Sequence, residues 1–294
     1  MKKIFLTFAD SRMRAALARI TMQANGLGVY DYVLALDEAS LDLGFREEFK
    51  ERLILGSRGY GYWVWKPQII LQTLRQLRDG DILHYCDTGC HLRQQGKLRL
   101  LDYIDIVNRS STGILAFQAV PPSFHDGRRL PDLREKVWCK ADLAEFFGVR
   151  ANENIMNAPA IGAGIFFIRK CRSSLELIEK WQQVYRSGFS LVDDSPSLLP
   201  NPPEFKDHRH DQSIFSILCK LAGVETVSAY EYWYPRKDDC RFPDWQALKS
   251  YPIHAARDRG IYRWWQVGAL QSYEVLSDLQ YLKGKLTNFI KVDA

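Results

Sequence analysis

The stretch DILHYCDTGCHL, residues 81–92, decides how the chain is read. Its first half has the apolar, β-prone look of a buried strand, and His84, Cys86, Asp87, Cys90 and His91 then fall within eight residues. Two readings compete. The four His and Cys side chains would form a zinc knot, yet zinc usually draws its ligands from two well-separated pairs, and the chain has neither knuckle spacing nor a second pair. Alternatively a strand ends at Asp87. His84 and Cys86 then share one face, and Tyr85 and Asp87 the other. In open α/β sheets ligands bind outside the carboxyl ends of the strands. Gly89 would let the backbone turn sharply or approach a ligand, and Asp87 is a hard oxygen ligand suited to Mn2+ or Mg2+. The plainer alternative is an Asp that caps a loop.

Outward from this point the chain alternates strands and helices. KKIFLTFA (2–9) and YDYVLAL (30–36) read as strands, with DSRMRAALARITMQANG (10–26) between them at helical spacing up to its Gly stop. A helix around 45–55 precedes SRGYGYWVWKP (57–67), and PQIILQTLRQLRDG (67–80) follows as a helix with Pro67 in its first turn and Gly80 as its stop. A polar helix (97–108), strand GILAFQA (113–119), helical WCKADLAEFFG (138–148), strand AIGAGIFFIRK (160–170) and helix SSLELIEKWQQVYRSG (173–188) come next. A Pro-, Ser- and Asp-rich loop (189–207), helix HDQSIFSILCKLAG (210–223) and short strand VETVSA (224–229) complete the pattern. The order implies an α/β fold with a mostly parallel sheet flanked by helices. A single domain over 1–262 with an amphipathic helical tail over 263–294 is the simplest division.

Composition narrows the class. The 294 residues are 46% hydrophobic and 26% charged, as in a soluble globular protein. The longest apolar run, AIGAGIFFI (160–168), is far shorter than the roughly 20 residues that span a bilayer. The N-terminus lacks the long apolar region of an export signal, and the six Cys contain no C-x-x-C pair. Both features point to a cytoplasmic protein with reduced thiols. A net charge of +5, spread along the chain, permits an anionic ligand or membrane surface without arguing for nucleic acid.

Taken in order, GYGYWVWKPQIILQTL, GDILHYCDTGCHL, VWCKADL, AGIFFIRK and HRHDQSIFSIL resemble a family of bacterial glycosyltransferases from lipopolysaccharide and capsule gene sets. Those proteins carry similar G-Y-G-Y-W-x-W-K-P, D-x-G-C and H-R-x-D-Q-S motifs, and the resemblance covers roughly 57–260. Cys86, Thr88 and Leu92 depart from the family's more usual residues. The resemblance implies a GT-A-like fold, a nucleotide-sugar donor, a UDP-sugar above others, a glycan or lipid-linked glycan acceptor, and a divalent metal, Mn2+ or Mg2+.

The remaining candidate residues follow from chemistry and from this resemblance. Tyr60, Tyr62 and Trp65 would stack on a uracil or sugar ring, with Lys66 and Arg58 meeting phosphate; packing aromatics and a solvated Arg are the alternatives. Asp211 would act near the anomeric carbon, as a base or in donor binding, with Gln212 as helper; a helix N-cap is its structural alternative. Gly162, Ala163 and Gly164 would let a sugar lie against the backbone, or simply allow close packing. Lys140 would neutralise a diphosphate or touch the acceptor, or lie at the surface. His254 would complete the metal shell begun by Asp87, or be structural, and Arg257 and Arg259 would stabilise the leaving diphosphate. The tail would rest on a membrane or pack on the main domain. Two rival functions remain: a metal-dependent phosphoester hydrolase using Asp87, His208, His210 and Asp211, and a zinc-stabilised binding module using HYCDTGCH.

Overall fold

Alternation along β1 (Lys3–Phe8) sets up the two layers of the molecule. Ile4, Leu6 and Phe8 enter one apolar core and Phe5 the other, because successive strand residues face opposite sides of a sheet. β2 (Tyr32–Leu36), β3 (Ile82–Cys86), β5 (Ile114–Gln118), β6 (Ile161–Arg169) and β7 (Glu225–Ser228) join it in a six-stranded sheet of order β2-β1-β3-β6-β5-β7. Helices Arg14–Leu27 and Lys97–Arg109 cover one face, and Trp65–Gln76, Arg172–Ser187 and Asp211–Ala222 cover the other. A separate ribbon pairs β4 (His91–Leu92) with β8 (Ile253–His254). The computed structural model describes residues 1–260. Met1–Arg259 form one compact unit, and the tail expected over 263–294 lies outside the described residues.

The α/β class with helices on both faces is as expected, and the sheet is mixed. β6 runs antiparallel to β3 and to β5, while the β1–β2, β1–β3 and β5–β7 pairs are parallel. Where β5 advances from Leu115 to Phe117, its partner in β6 goes from Phe167 back to Gly162. Such a bulge releases backbone groups from the ladder and re-aims them, and here it falls at the carboxyl ends of the parallel strands.

Three helix boundaries differ from expectation. The helix around 45–55 is only Leu43–Glu48, capped by Asp42 and closed at Phe49, whose ring tilts against Phe45. Trp65–Gln76 ends before Gly80, because Leu77 is already extended and Gly80 (φ 89°) makes the turn into β3. The segment 138–148 divides into Glu135–Trp138 and Ala141–Phe146, since Cys139 and Lys140 are extended between them.

Beneath the sheet, His84 is sealed between the Tyr30 hydroxyl (2.7 Å) and the Phe167 ring (centroids 4.0 Å apart). Burial lowers its pKa from the ordinary 6.5 to about 3. The folded state therefore holds His84 neutral where the unfolded chain protonates it. The stability this provides is complete above pH 6.5 and is lost as pH falls toward about 3, with a slope approaching ~1.4 kcal/mol per pH unit. Urea unfolding at a series of pH values across that window should show the slope, and His84→Phe should reduce it; an unchanged slope in the variant would show that His84 does not titrate as described.

Candidate active site

The site begins with a strained turn. In Gly59–Tyr62 and the residue after it, Tyr60 (φ 51°), Gly61 (φ 84°), Tyr62 (φ 52°) and Trp63 (φ 60°) lie consecutively in the left-handed region. Each non-glycine residue there costs about 1–2 kcal/mol. Packing holds the turn in place. Trp65 Nε1 donates to the Gly59 carbonyl (2.9 Å), and a Cβ on Gly61 would stand 2.9 Å from the Arg52 carbonyl oxygen. The Trp65 ring stacks on Phe8 at 4.0 Å and Tyr60 lies over the same ring at 6.4 Å. Both belong to the core, so these two aromatics are structural in this conformation and do not frame a ligand ring. Tyr62 is half-buried and donates from its hydroxyl to Asp194 (2.8 Å), which also accepts from Arg58 (2.7 Å).

The turn delivers Lys66 into the interior, where its side chain is 2% exposed. Its Nζ lies 2.6 Å from Asp211 Oδ2, 3.3 Å from Asp87 Oδ1 and 3.1 Å from the Ala163 carbonyl on the bulged β6. The Tyr85 ring, 5.3 Å away, adds a cation–π contact. Burial alone would lower the ammonium's pKa, but Asp211 and then Asp87 more than offset it and the net direction is upward. Burial raises the Asp211 carboxyl, with Lys66 pulling it back. Lys66, expected at a phosphate, is instead the countercharge of two carboxylates.

Asp87 ends β3 with its side chain 41% exposed. Tyr85, on the same strand face as expected, donates to Asp87 Oδ1 at 2.6 Å. The other oxygen sits where a Cβ on Gly164 would come within 2.7 Å of it, and the Asp87 amide donates to the Gly164 carbonyl at 2.7 Å. Gly164 thus makes room for a carboxylate of the chain itself. Beside it, the Tyr232 hydroxyl lies 2.5 Å from where a Gly162 Cβ would be. The turn after Asp87 is clamped: Thr88 Oγ1 meets Thr7 Oγ1 (2.8 Å) and donates to the Phe8 carbonyl (2.7 Å), and Arg19 donates to the carbonyls of Thr88 (3.0 Å) and Cys90 (2.8 Å). Gly89 packs under the backbone of Arg257, and its carbonyl accepts from the Asp258 amide (2.9 Å).

Arg257 is exposed and adopts φ 54°. Burial raises the pKa of the Tyr232 hydroxyl, with Cys90 and Asp87 adding to it and Arg257 only partly opposing; burial likewise disfavours the charge of Arg209, with Arg257 and then Arg58 adding to it. Arg58, Arg209 and Arg257 thus form a cationic rim that starts at Arg257 beside Gly89, with Arg58 paired to Asp194 and Arg209 lying 3.9 Å over the Trp138 ring. Sequence reasoning missed Arg209, Tyr232 and Arg19. Lys140 is not at this rim: it is buried, and its Nζ donates to the carbonyls of Ser190 (2.6 Å) and Asp193 (2.9 Å), holding the loop after Ser187. Gln212 follows Asp211, half-buried, its amide donating to the Arg209 carbonyl (3.0 Å).

The histidines separate the rival readings. His84 and His91 take different partners, Tyr30 and Asp258 (2.8 Å), so HYCDTGCH does not close around one metal. His208 Nδ1 accepts from the Lys140 amide (3.2 Å), and His210 Nδ1 faces the Val192 carbonyl (2.6 Å) with its Nε2 3.5 Å from Asp194; among the described residues neither ring is grouped with Asp87 as a metal-holding set. His254, expected in a metal shell, stands in β8 with Nε2 on the Leu248 carbonyl (3.1 Å) and its ring stacked on Trp245 (4.7 Å). Among the described residues no group of three or more His, Cys, Asp and Glu is placed to hold a metal. The donor set at Asp87 does not fit a divalent ion either, because Asp87 and Asp211 already share an ammonium.

No family model and no curated protein matches the chain. Solved structures similar to it include a glycosyltransferase involved in glycosylation of the major capsid of PBCV-1 (9% identity, 86% of this chain and 92% of that one, TM-score 0.45). Mouse xyloside xylosyltransferase 1 (10%, 79% and 86%, TM-score 0.41) and the galactosyltransferase LgtC (11%, 78% and 74%, TM-score 0.38) are others. These likenesses are faint, and the chemistry open to the chain is set by its own side chains.

Replacing Lys66 with Met leaves the buried Asp211 carboxylate, with the half-exposed Asp87 beside it, without its countercharge. Removing one partner of a buried pair costs about 3–5 kcal/mol, so chemical denaturation of Lys66→Met should show a loss of that order. Adding Asp211→Asn to it should cost less than the sum of the single changes; strict additivity would mean that the two side chains do not interact.

Proposed function

We propose that the chain is a glycosyltransferase of GT-A-like fold that moves a hexose from a nucleotide-sugar, a UDP-sugar, to a bacterial surface glycan or lipid-linked glycan. The observation that carries the reading is Asp87: a half-exposed carboxylate at the end of a central parallel strand, fixed by Tyr85 and Gly164, with Arg257 nearby. In sugar transfer the anomeric carbon becomes positive as the diphosphate leaves with negative charge, and fixed groups of opposite sign lower that barrier. Asp87 is the carboxylate that faces the reacting sugar. Arg58, Arg209 and Arg257 supply positive charge for the diphosphate. Asp211 acts from behind through Lys66, and Gln212, next on the helix, is the adjacent polar group for the sugar. An acceptor of this class places the reaction in the cytoplasm, at the inner face of the membrane, with the tail over 263–294 as the membrane contact. Among the described residues no helix is long and apolar enough to cross a membrane.

The test is a melting-temperature panel with UDP, GDP and CMP, each in EDTA and in Mn2+. One nucleotide should stabilise the folded protein by ~2.7 kcal/mol at about a hundredfold excess over its Kd. Asp87→Asn should leave nucleotide binding within about tenfold and abolish sugar transfer. Gly164→Ala should lower transfer at least about tenfold by displacing the carboxylate. A folded protein that responds to none of the three nucleotides would overturn the reading.

A further inference from the structure

We propose that the Lys66 ammonium is the protein's own cation at the strand-end site, seated between Asp87 and Asp211, and that the site works without a divalent metal. The seat is complete. Asp211 Oδ2 (2.6 Å), Asp87 Oδ1 (3.3 Å) and the Ala163 carbonyl (3.1 Å) surround one nitrogen, which matches the three donors of an ammonium. It is also built for this purpose by the backbone: the β6 bulge turns the Ala163 carbonyl toward it, and the left-handed run Tyr60–Trp63 brings Lys66 in immediately afterwards. Lys66 is too deeply buried to serve as a surface phosphate ligand, whereas Asp87, whose Oδ1 it contacts, is 41% exposed.

A divalent ion at Asp87 would have to displace this ammonium or stand beside it, and like charges so close repel strongly in a partly buried setting. Lys66 is accordingly a positioning residue that acts through Asp87 and Asp211. Its consequence for the donor rests on the transferase reading: the diphosphate is met by the arginine rim with no metal bridge to Asp87.

Mn2+ binding to the full chain, followed by electron paramagnetic resonance, tests the seat independently of any activity. Wild type should show no Asp87-dependent Mn2+ site. Lys66→Met, which leaves two carboxylates facing one another, should bind Mn2+ on the order of a hundredfold more tightly, and Lys66→Met with Asp211→Asn should lose that gain. A wild-type Mn2+ site abolished by Asp87→Asn would overturn the proposal, as would a Lys66→Met protein that folds and gains no Mn2+ affinity. Should Lys66→Met not fold, the wild-type titration still decides. A parallel measurement of UDP affinity should give the same value in EDTA and in Mn2+ to within about twofold. Tenfold or greater Mn2+ dependence that Asp87→Asn removes would sink the proposal and leave the transferase reading standing. Absence of affinity for UDP, GDP and CMP would sink the transferase reading, with the Mn2+ titration still judging the seat.

Discussion

The ammonium of Lys66 is the point on which the site depends. Taking an ammonium out of water costs several kcal/mol, and only close, well-directed oxygens repay it. Those oxygens come from the end of β3, the bulge of β6 and the first turn of the helix Asp211–Ala222, while the ammonium comes from the start of Trp65–Gln76. Four segments distant in sequence are thereby fixed relative to one another through one nitrogen. The arrangement stabilises the fold weakly compared with an apolar core of equal volume, but it gives Asp87 a single position.

Strain is concentrated at both ends of this ion pair. Tyr60, Tyr62 and Trp63 hold left-handed conformations just before Lys66, and His210 holds φ 50° and ψ −119° just before Asp211. The two strained segments also touch, with Trp63 stacked on His210 at 5.6 Å and Tyr62 against the same ring at 5.1 Å. Strain of this kind persists only where the surroundings over-determine it. Here the surroundings are the rings themselves, the buried pair they deliver, and the Val192 carbonyl that anchors His210. A relaxed backbone at either place would rotate Lys66 or Asp211 out of reach of the other. The aromatic run GYGYWVW is best understood as the scaffold of that placement.

Much of this was legible in the sequence because it follows local rules. The short, continuously buried runs of β1 and β3, the apolar faces of Arg172–Ser187 and Asp211–Ala222, and the strand end at Asp87 all come from patterns within one element. The direction of β6 was not legible. AIGAGIFFIRK has the same apolar character whichever way it runs, and its reversal is decided by the long connection after β5. The role of Lys66 was hidden for a similar reason. Its partners, Asp87 and Asp211, are 21 and 145 residues away, and a Lys beside tryptophans equally fits a phosphate contact. Lys140 was misplaced on the same logic, since nothing local shows that the loop carbonyls of Ser190 and Asp193 return to enclose it. Long-range charge pairing leaves no periodic trace.

The layering of charge connects this interior to chemistry at the surface. One ammonium faces two carboxylates in the seat, and of the three side chains only Asp87 is exposed. Outside it stand Arg58, Arg209 and Arg257. On the proposed transferase reading, an anionic diphosphate would be drawn to the guanidinium groups and kept from the carboxylates, while a carbon that becomes positive as its bond breaks would be favoured beside Asp87. On that reading a ligand with one charged end and one neutral, polar end would be oriented before any reaction, its neutral end toward Asp87, since the space at Gly162 and Gly164 is taken by Tyr232 and Asp87 themselves. On the transferase reading that polarity would distinguish a nucleotide-sugar from a simple phosphate monoester, which has no neutral end to present to Asp87. The burial of Lys66 fits the same polarity: held behind the carboxylates, the ammonium fixes their positions and leaves Asp87 as the exposed group of the three.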